Sequence, residues 1–383
     1  MNFEQLVDGI NYRGIVSGLT HDLYRYPARF SPMFAQAAIE AFTEPGDTIL
    51  DPFTGGSTSL VEALALGRNA IGVDISQLAV FLARVKTSLL SERDIDAILN
   101  WAIRVTPDLS PQKPVKRHLE WQEAGYQQNL PWRFRKVTEQ ALNRANRLPE
   151  HLKIVARCIV LKTVQWAVDC KKHLPTANNF REHMLEDAES VTKGLRELNE
   201  RVSSLKRTPS TIEIFTGSSD TVSTLPSRLL RESPPKLVVT SPPYPGVHVV
   251  YHRWQVLGRK ETPAPFWIAD CLDGQGGSFY TFGDRRNPKR EEVYFGKLFK
   301  VFADVRKVVS EDAFIVQLVG FADPDEQLPL FLATMAEAGF EEYGTNGHQS
   351  NQFWRSVPNR KWYTSLRAET KETAEVLLIH RPN

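Results

Sequence analysis

The residues best suited to chemistry are Thr240-Ser241-Pro242-Pro243-Tyr244, which close a short apolar run, Lys236 to Thr240. Two consecutive prolines remove two backbone donors and stiffen the chain. A hydroxyl, free carbonyls and an aromatic ring are then held in fixed relation where a strand ends. Three further stretches end apolar runs in the same way. In Asp51-Pro52-Phe53-Thr54-Gly55-Gly56-Ser57-Thr58, two glycines permit a tight turn and the close approach of a ligand to the backbone. Asp74 follows about twenty residues on, where an acid can accept hydrogen bonds from ribose hydroxyls. Gly217-Ser218-Ser219-Asp220 is a polar loop. Taken singly, a Gly-Gly turn or a strand-end Asp is usually only a turn or a helix cap; the diproline has no such ordinary use.

Periodicity supplies the elements that must position these loops. Pro32 to Phe42, Thr58 to Leu66 and Ser76 to Ser88 read as helices, alternating with buried strands at Asp47 to Leu50 and Asn69 to Val73. Such β-turn-α-β alternation signals a parallel sheet. From there to about Arg207 the pattern stays helical, with helices expected at Trp101–Val105, Phe134–Leu148, His151–Val168 and Glu182–Leu205. Alternation resumes with strands at Thr211–Phe215, Lys236–Thr240, Phe314–Val319 and Glu375–His380. Helices are expected between them at Leu225–Leu230, Glu292–Val309 and Leu328–Ala338. The expected body is a doubly wound α/β domain in two parts, 1–90 and 208–383. It is interrupted by a helical insertion at 91–207 and by an irregular stretch from Pro245 to Arg290. In such sheets, ligands bind beyond the carboxyl ends of the strands.

The chain of 383 residues is 42% hydrophobic and 24% charged, the balance of a globular protein and not of a disordered or fibrous one. Its net charge is only +2, but Arg104 to Arg181 holds fifteen Lys/Arg against six Asp/Glu. A basic segment on an acidic body suggests a polyanionic partner, although on charge alone a solvated helical surface with no partner is the commoner explanation. Cys158, Cys170 and Cys271 lack CxxC or CxxH spacing, so neither disulfides nor a zinc cage is expected, and a reducing compartment is. The histidines show no ligand spacing, and no metal is expected. The first residues do not read as a secretory signal, and apolar runs such as Ile159-Val160-Leu161 are too short for a membrane span. The dinucleotide fingerprint G-x-G-x-x-G is absent, which disfavours a nicotinamide cofactor.

In their order, these residues resemble the S-adenosylmethionine-dependent DNA methyltransferases that modify exocyclic amino groups. Tyr26-Pro27-Ala28-Arg29-Phe30-Ser31-Pro32 is similar to that family's first cofactor motif, and Asp51 to Thr58 to its Asp-Pro-Phe-x-Gly-x-Gly-Thr loop, with Ser57 in place of a glycine. Gly72-Val73-Asp74-Ile75-Ser76 resembles the ribose motif, and Ile212 to Asp220 the motif whose acid meets the adenine amine. Thr240 to Tyr244 matches the catalytic motif in its Ser-Pro-Pro-Tyr form, associated mainly with cytosine N4. The resemblance covers about residues 20–90 and 210–383 and leaves out the helical insertion.

The resemblance implies a Rossmann-like, mostly parallel seven-stranded sheet. It implies S-adenosyl-L-methionine as cofactor, S-adenosyl-L-homocysteine as product and no metal. Asp51, Tyr26, Pro27 and Phe30 would hold the methionine end. Asp74 and Ile75 would bind the ribose, and Ser219 and Asp220 the adenine amine. Phe53 would lie near the adenine or the target, with Pro52, Thr54, Gly55, Gly56, Ser57, Thr58 and Thr240 completing the pocket. Ser241, Pro242, Pro243 and Tyr244 would hold an extruded base for direct methyl transfer, with no covalent intermediate. Ring-carbon methylation needs a Pro-Cys nucleophile, which none of the cysteines supplies. The implied partner is double-stranded DNA in a bacterial cytoplasm, at the nucleoid when acting, with a cognate restriction endonuclease as an open option and no membrane. Phosphate-facing candidates are Lys113, Lys116, Arg117, Arg133, Arg135, Lys136, Lys171 and Lys172 in the basic segment. Tyr251, Arg253, Arg285 and Arg286 near the catalytic loop are the others, with Lys289 and Arg290 beside them. Trp121 and Trp132 are expected to pack between helices. Adenine N6, RNA guanine N2, and a non-catalytic DNA-binding protein of the same fold remain alternatives.

Overall fold

The computed structural model describes all residues except 1–2, 13, 15, 28, 246–252, 259, 275–276, 283–286, 345–351 and 357–373. Tyr251, Arg285 and Arg286 therefore lie outside the described residues. The described strands are β1 (Thr48–Asp51), β2 (Asn69–Asp74), β3 (Ile212–Thr216), β4 (Leu237–Thr240), β5 (Trp254–Val256), β6 (Lys260–Thr262), β7 (Phe314–Gly320), β8 (Phe340–Glu342), β9 (Phe353–Ser356) and β10 (Ala374–Pro382). The main sheet runs β3-β2-β1-β4-β7-β10-β8, with β9 also on β10. β1 to β4 and β7 are parallel, and β10 is antiparallel to its neighbours. The expected seven strands become eight because the last edge is broken in two. β9 pairs with Ala374–Leu377 of β10 and β8 with His380–Pro382, on the edge β7 does not occupy.

Each central strand alternates between two apolar layers, which is why it reads as a continuous apolar run. Leu50, Val238, Ile315 and Leu378 face the helices Arg290–Arg306 and Pro324–Glu337. Ile49, Val239, Val316 and Leu377 face the helices Phe3–Asn11 and Pro32–Phe42. Helix starts follow capping chemistry. Ser31 accepts from Met33 N at 3.1 Å ahead of Pro32, and Thr176 and Asn179 form a reciprocal capping box ahead of Ala177–Ser204. The helix expected at Leu328–Ala338 begins earlier, at Pro324, and carries Pro329 inside it.

Between β2 and β3 lie the helices Glu92–Val105, Leu119–Glu123, Trp132–Ala145, Glu150–Val168 and Ala177–Ser204. Their core is shared with the helix Gln77–Lys86 and with residues of the second interruption, including Trp254, Val256, Phe266 and Trp267. That second stretch is not irregular throughout, as expected from sequence. It holds the antiparallel β5–β6 ribbon and the helix Ala264–Ala269, and it docks by Cys170 N donating to Gln255 O (2.7 Å) and Trp267 Nε1 to His118 Nδ1 (2.9 Å). Its short elements are too brief to leave a periodic signal. Trp121 packs edge-on against Tyr126, whereas Trp132 is 56% exposed and does not pack as expected.

One buried pair interrupts the apolar face behind β7. Gln317 lies 3.4 Å from His380, whose Nε2 has no partner. Burial pushes the His380 imidazole down from 6.5 to about 3. The unfolded chain therefore takes up a proton below pH 6.5 that the folded chain refuses, and stability falls as the pH drops toward 3. Relative to His380→Leu, the parent should lose about 2 kcal/mol more unfolding free energy between pH 7 and pH 5. Urea titrations at the two pH values measure this, and parallel losses would contradict it.

Candidate functional site

The strand order reverses between β1 and β4: β2 and β3 extend one way, β7 and β10 the other. In open α/β sheets such a switch point is where ligands bind, beyond the carboxyl ends of the strands. The acid loops and the diproline loop meet there. Asp51, the last residue of β1, is fully buried; its Oδ1 accepts from Thr240 Oγ1 at 2.8 Å and Phe53 N at 3.1 Å, and its Oδ2 accepts from Ser59 Oγ. Thr240 thus spans the switch point from β4. Burial pushes the Asp51 carboxyl up to about 6, opposed by these hydrogen bonds.

Asp74 ends β2. Its Oδ2 accepts from Gly55 N (2.7 Å) and its Oδ1 from Ser76 N (2.8 Å), so it binds its own turn to the Gly-Gly loop. It is not the helix cap: Ser76 caps Gln77–Lys86 by accepting from Ala79 N. Burial pushes its carboxyl up to about 6 as well. The loop is completed by Thr54 N donating to Val73 O (3.1 Å) and Ser57 N to Thr54 O (2.7 Å). Gly55 takes φ +45, in the left-handed region.

Ser57 also lies in the left-handed region, at φ +65, which explains why glycine suits this position. Its buried Oγ and that of Thr58 have no partner. Ser57→Gly should therefore stabilise the protein by about 1 kcal/mol in urea unfolding, since relieved strain and a removed unpaired hydroxyl outweigh glycine's entropy. A loss of stability would contradict that reading of the turn.

The aromatic residues Tyr26 and Phe30 are buried beside this loop; Gly55 lies under the Tyr26 ring, where a Cβ would stand 3.5 Å from Cε1. Pro27, between Tyr26 and Phe30 in the chain, is exposed. Ser219 is buried and donates to Pro52 O, tying the 3₁₀ turn Ser219–Thr224 to the loop, whereas Asp220 is exposed. Phe53 packs edge-on against Phe282 (5.6 Å), and Ile75 is half-buried beside Asp74. Lys86 went unnoticed in the sequence, as the second cation, after Arg84, at the end of an apolar helix. Fully buried, it donates from Nζ to Gly56 O at 2.8 Å, and burial pushes its ammonium down to about 7.

In the diproline loop, Ser241 Oγ lies 2.9 Å from Leu318 O and 3.2 Å from Tyr244 Oη. Tyr244 Oη donates to Glu375 Oε1 (2.9 Å), and its ring covers Gly320, where a Cβ would come within 2.8 Å. Tyr294 Oη donates to Pro243 O at 2.7 Å. Tyr294, Arg355 and Glu375 were missed from sequence; the available signal was Glu375, a charge in an otherwise apolar strand.

The cationic candidates divide. Lys116, Arg133 and Lys172 are exposed; Arg135 and Lys136 are half-buried. Lys113 pairs with Asp108 (3.3 Å), Arg117 donates to Gln122, and Lys171 lies over the Trp166 ring. Arg253 is committed to Asp273 (2.9 Å), and Lys289 lies 3.6 Å from Glu292. Arg290 opens the helix Arg290–Arg306.

The N-terminal part of this site finds counterparts among known proteins. Residues 10–84 match the family model described as DNA methylase. That stretch carries the Tyr26–Pro32, Asp51–Thr58 and Asp74 loops. Type II methyltransferase M.MjaII of Methanocaldococcus jannaschii is 31% identical over 90 residues, which is 24% of this chain and 17% of that protein. Type II methyltransferase M.BsoBI of Geobacillus stearothermophilus is 34% identical over 105 residues, 27% of this chain and 20% of that protein. Type II methyltransferase M.MvaI of Kocuria varians is 40% identical over 73 residues, 18% of this chain and 16% of that protein. The chain thus spans a fifth or less of the length of these relatives in the matched stretches. Among the described residues, no cluster of His, Cys, Asp or Glu could hold a metal ion, and no helix is long and apolar enough to cross a membrane.

Proposed function

We propose that this protein transfers a methyl group from S-adenosyl-L-methionine to the exocyclic N4 amine of cytosine in double-stranded DNA, releasing S-adenosyl-L-homocysteine. The observation that carries the reading is the Thr240–Asp51 hydrogen bond across the switch point, which joins the diproline loop to the acid-lined loop in one crevice. The residues present fit the cofactor: two buried hydroxyls without partners on the Gly-Gly loop, and a half-buried acid at the end of β2. When bound, the cofactor supplies an electrophilic sulfonium methyl. Asp74 would accept from the ribose hydroxyls, Asp220 from the adenine amine, and Tyr26 and Phe30 would wall the methionine end, with the buried Asp51 holding the loop behind them.

The target amine lies inside a duplex, so the base must be extruded at a cost of a few kcal/mol. Stacking on Tyr244 returns roughly 1–3 kcal/mol of that. An exocyclic amine is a poor nucleophile because its lone pair is delocalised into the ring. Ser241 Oγ and a main-chain carbonyl near Pro242 accept hydrogen bonds from its N–H groups, favour the tetrahedral form and aim the lone pair. Orientation then supplies most of the rate. The segment 91–207 is read as the target-recognition insertion between the two halves, 1–90 and 208–383, with Lys116, Arg133 and Lys172 on phosphates. The Ser-Pro-Pro-Tyr form supports cytosine N4 over adenine N6.

Incubation of the protein with duplex DNA and methyl-labelled cofactor, followed by mass spectrometry of the nucleosides, tests this. N4-methylcytosine is expected. N6-methyladenine would reassign the base, and unlabelled DNA would overturn the reading.

A further inference from the structure

We propose that the Arg355–Glu375 pair fixes the direction of the hydrogen bonds in the diproline loop, so that Ser241 meets the target as an acceptor. This deepens the reading of Ser241–Tyr244 as the transfer site and rests on it.

The chain of contacts is continuous. Arg355 donates to Glu375 Oε2 from Nε (2.8 Å) and from its terminal nitrogen (2.5 Å), both side chains being less than a tenth exposed. Its other terminal nitrogen donates to Ile10 O at 2.5 Å, anchoring the pair to the N-terminal helix. The pair is brought here by topology. β10 is antiparallel, so its first residues lie at the carboxyl end of β7, with Glu375 opposite Gly320, on which Tyr244 rests. β9 carries Arg355 directly opposite Glu375.

Proton counting gives the direction. A carboxylate held by a guanidinium accepts and does not donate. The single phenolic proton of Tyr244 must therefore point at Glu375 Oε1, 2.9 Å away. Tyr244 cannot then donate to Ser241. The one hydroxyl proton of Ser241 goes to Leu318 O (2.9 Å) or to Tyr244 Oη (3.2 Å). In either case both lone pairs of the Ser241 oxygen stay free for donors from outside. An exocyclic amine is such a donor; a carbonyl is not. Glu375 is on this view a positioning residue, acting through Tyr244, and it touches no substrate.

Glu375→Gln reverses the chain. Its carbonyl stays with Arg355 and its amide donates to Tyr244, whose proton turns toward Ser241 and occupies one of its two lone pairs. Methyl transfer should slow about ten- to a hundredfold, with cofactor Kd unchanged. In a Tyr244→Phe background the same substitution should change the rate less than about twofold, because the hydroxyl that relays the effect is gone. The Cζ resonance of Tyr244 in ¹³C-tyrosine-labelled protein, assigned by its loss in Tyr244→Phe, should shift in Glu375→Gln. Glu375→Asp keeps the charge but draws it back by one methylene, and serves as a second variant with the same expected non-additivity. Equal losses in both backgrounds, or an unmoved resonance, would overturn the proposal. If the parent itself transfers no methyl group, the reading of function fails, and the resonance alone then decides whether Glu375 holds Tyr244.

Discussion

Asp74→Ala is expected to raise the dissociation constant for S-adenosylmethionine about a hundredfold. The carboxylate is asked to accept from two ribose hydroxyls, and losing two charge-assisted hydrogen bonds is worth about 3 kcal/mol. Both oxygens already accept backbone amides, from Gly55 and Ser76, so the variant also releases the Gly-Gly loop. Asp74→Asn keeps one acceptor and should fall between. A pH dependence accompanies this. Asp74 and Asp51 are both held up at about 6 by burial, so cofactor affinity should fall as the pH drops through 6. Carboxyls raised in the folded state gain stability on protonation, from pH 6 down toward 3.8. The lost affinity is therefore not caused by unfolding at these groups. Calorimetric titration between pH 5 and pH 8 measures it, and a flat profile in the parent would remove both acids from the pocket.

Ser241→Ala is expected to slow methyl transfer about a hundredfold with cofactor affinity unchanged. The lost acceptor matters most as the amine becomes tetrahedral, so the cost falls on the transition state and not on cofactor binding. The substitution removes one oxygen and leaves Leu318 O without this donor. Tyr244→Ala should instead weaken capture of the extruded base. It also strips Glu375 of its partner at 2.9 Å, and so costs some stability. Single-turnover rates with labelled cofactor separate the two. An unimpaired Ser241→Ala enzyme would remove the hydroxyl from the chemistry.

The body of the fold was legible because its strands are short and apolar on both faces, and its helices carry ordinary caps and stops. Pro32–Phe42 matches the sequence reading end to end. The loops at Asp51, Asp74 and Ser241 were legible because glycine and proline pairs at strand ends have few other uses. What the sequence concealed lies in long-range pairing. Glu375 and Arg355 are twenty positions apart and meet only through β9–β10 register. Lys86 reads as a surface lysine at the end of a helix until Gly56 O is seen 2.8 Å from it. Part of the basic excess is paired within the chain, which the sequence could not show: Lys113 and Arg144 both meet Asp108, and Arg157 meets Asp270. The β5–β6 ribbon escaped because three-residue strands are too brief to show alternation.

The central claim is that cofactor and target amine meet at the switch point between β1 and β4. A crystal structure with S-adenosylhomocysteine bound tests it most directly. The ribose hydroxyls should lie within hydrogen-bond distance of Asp74, and the sulfur should face Ser241. Density elsewhere, for instance in the cleft lined by Gln77, Arg84, Lys153 and Arg157, would contradict it.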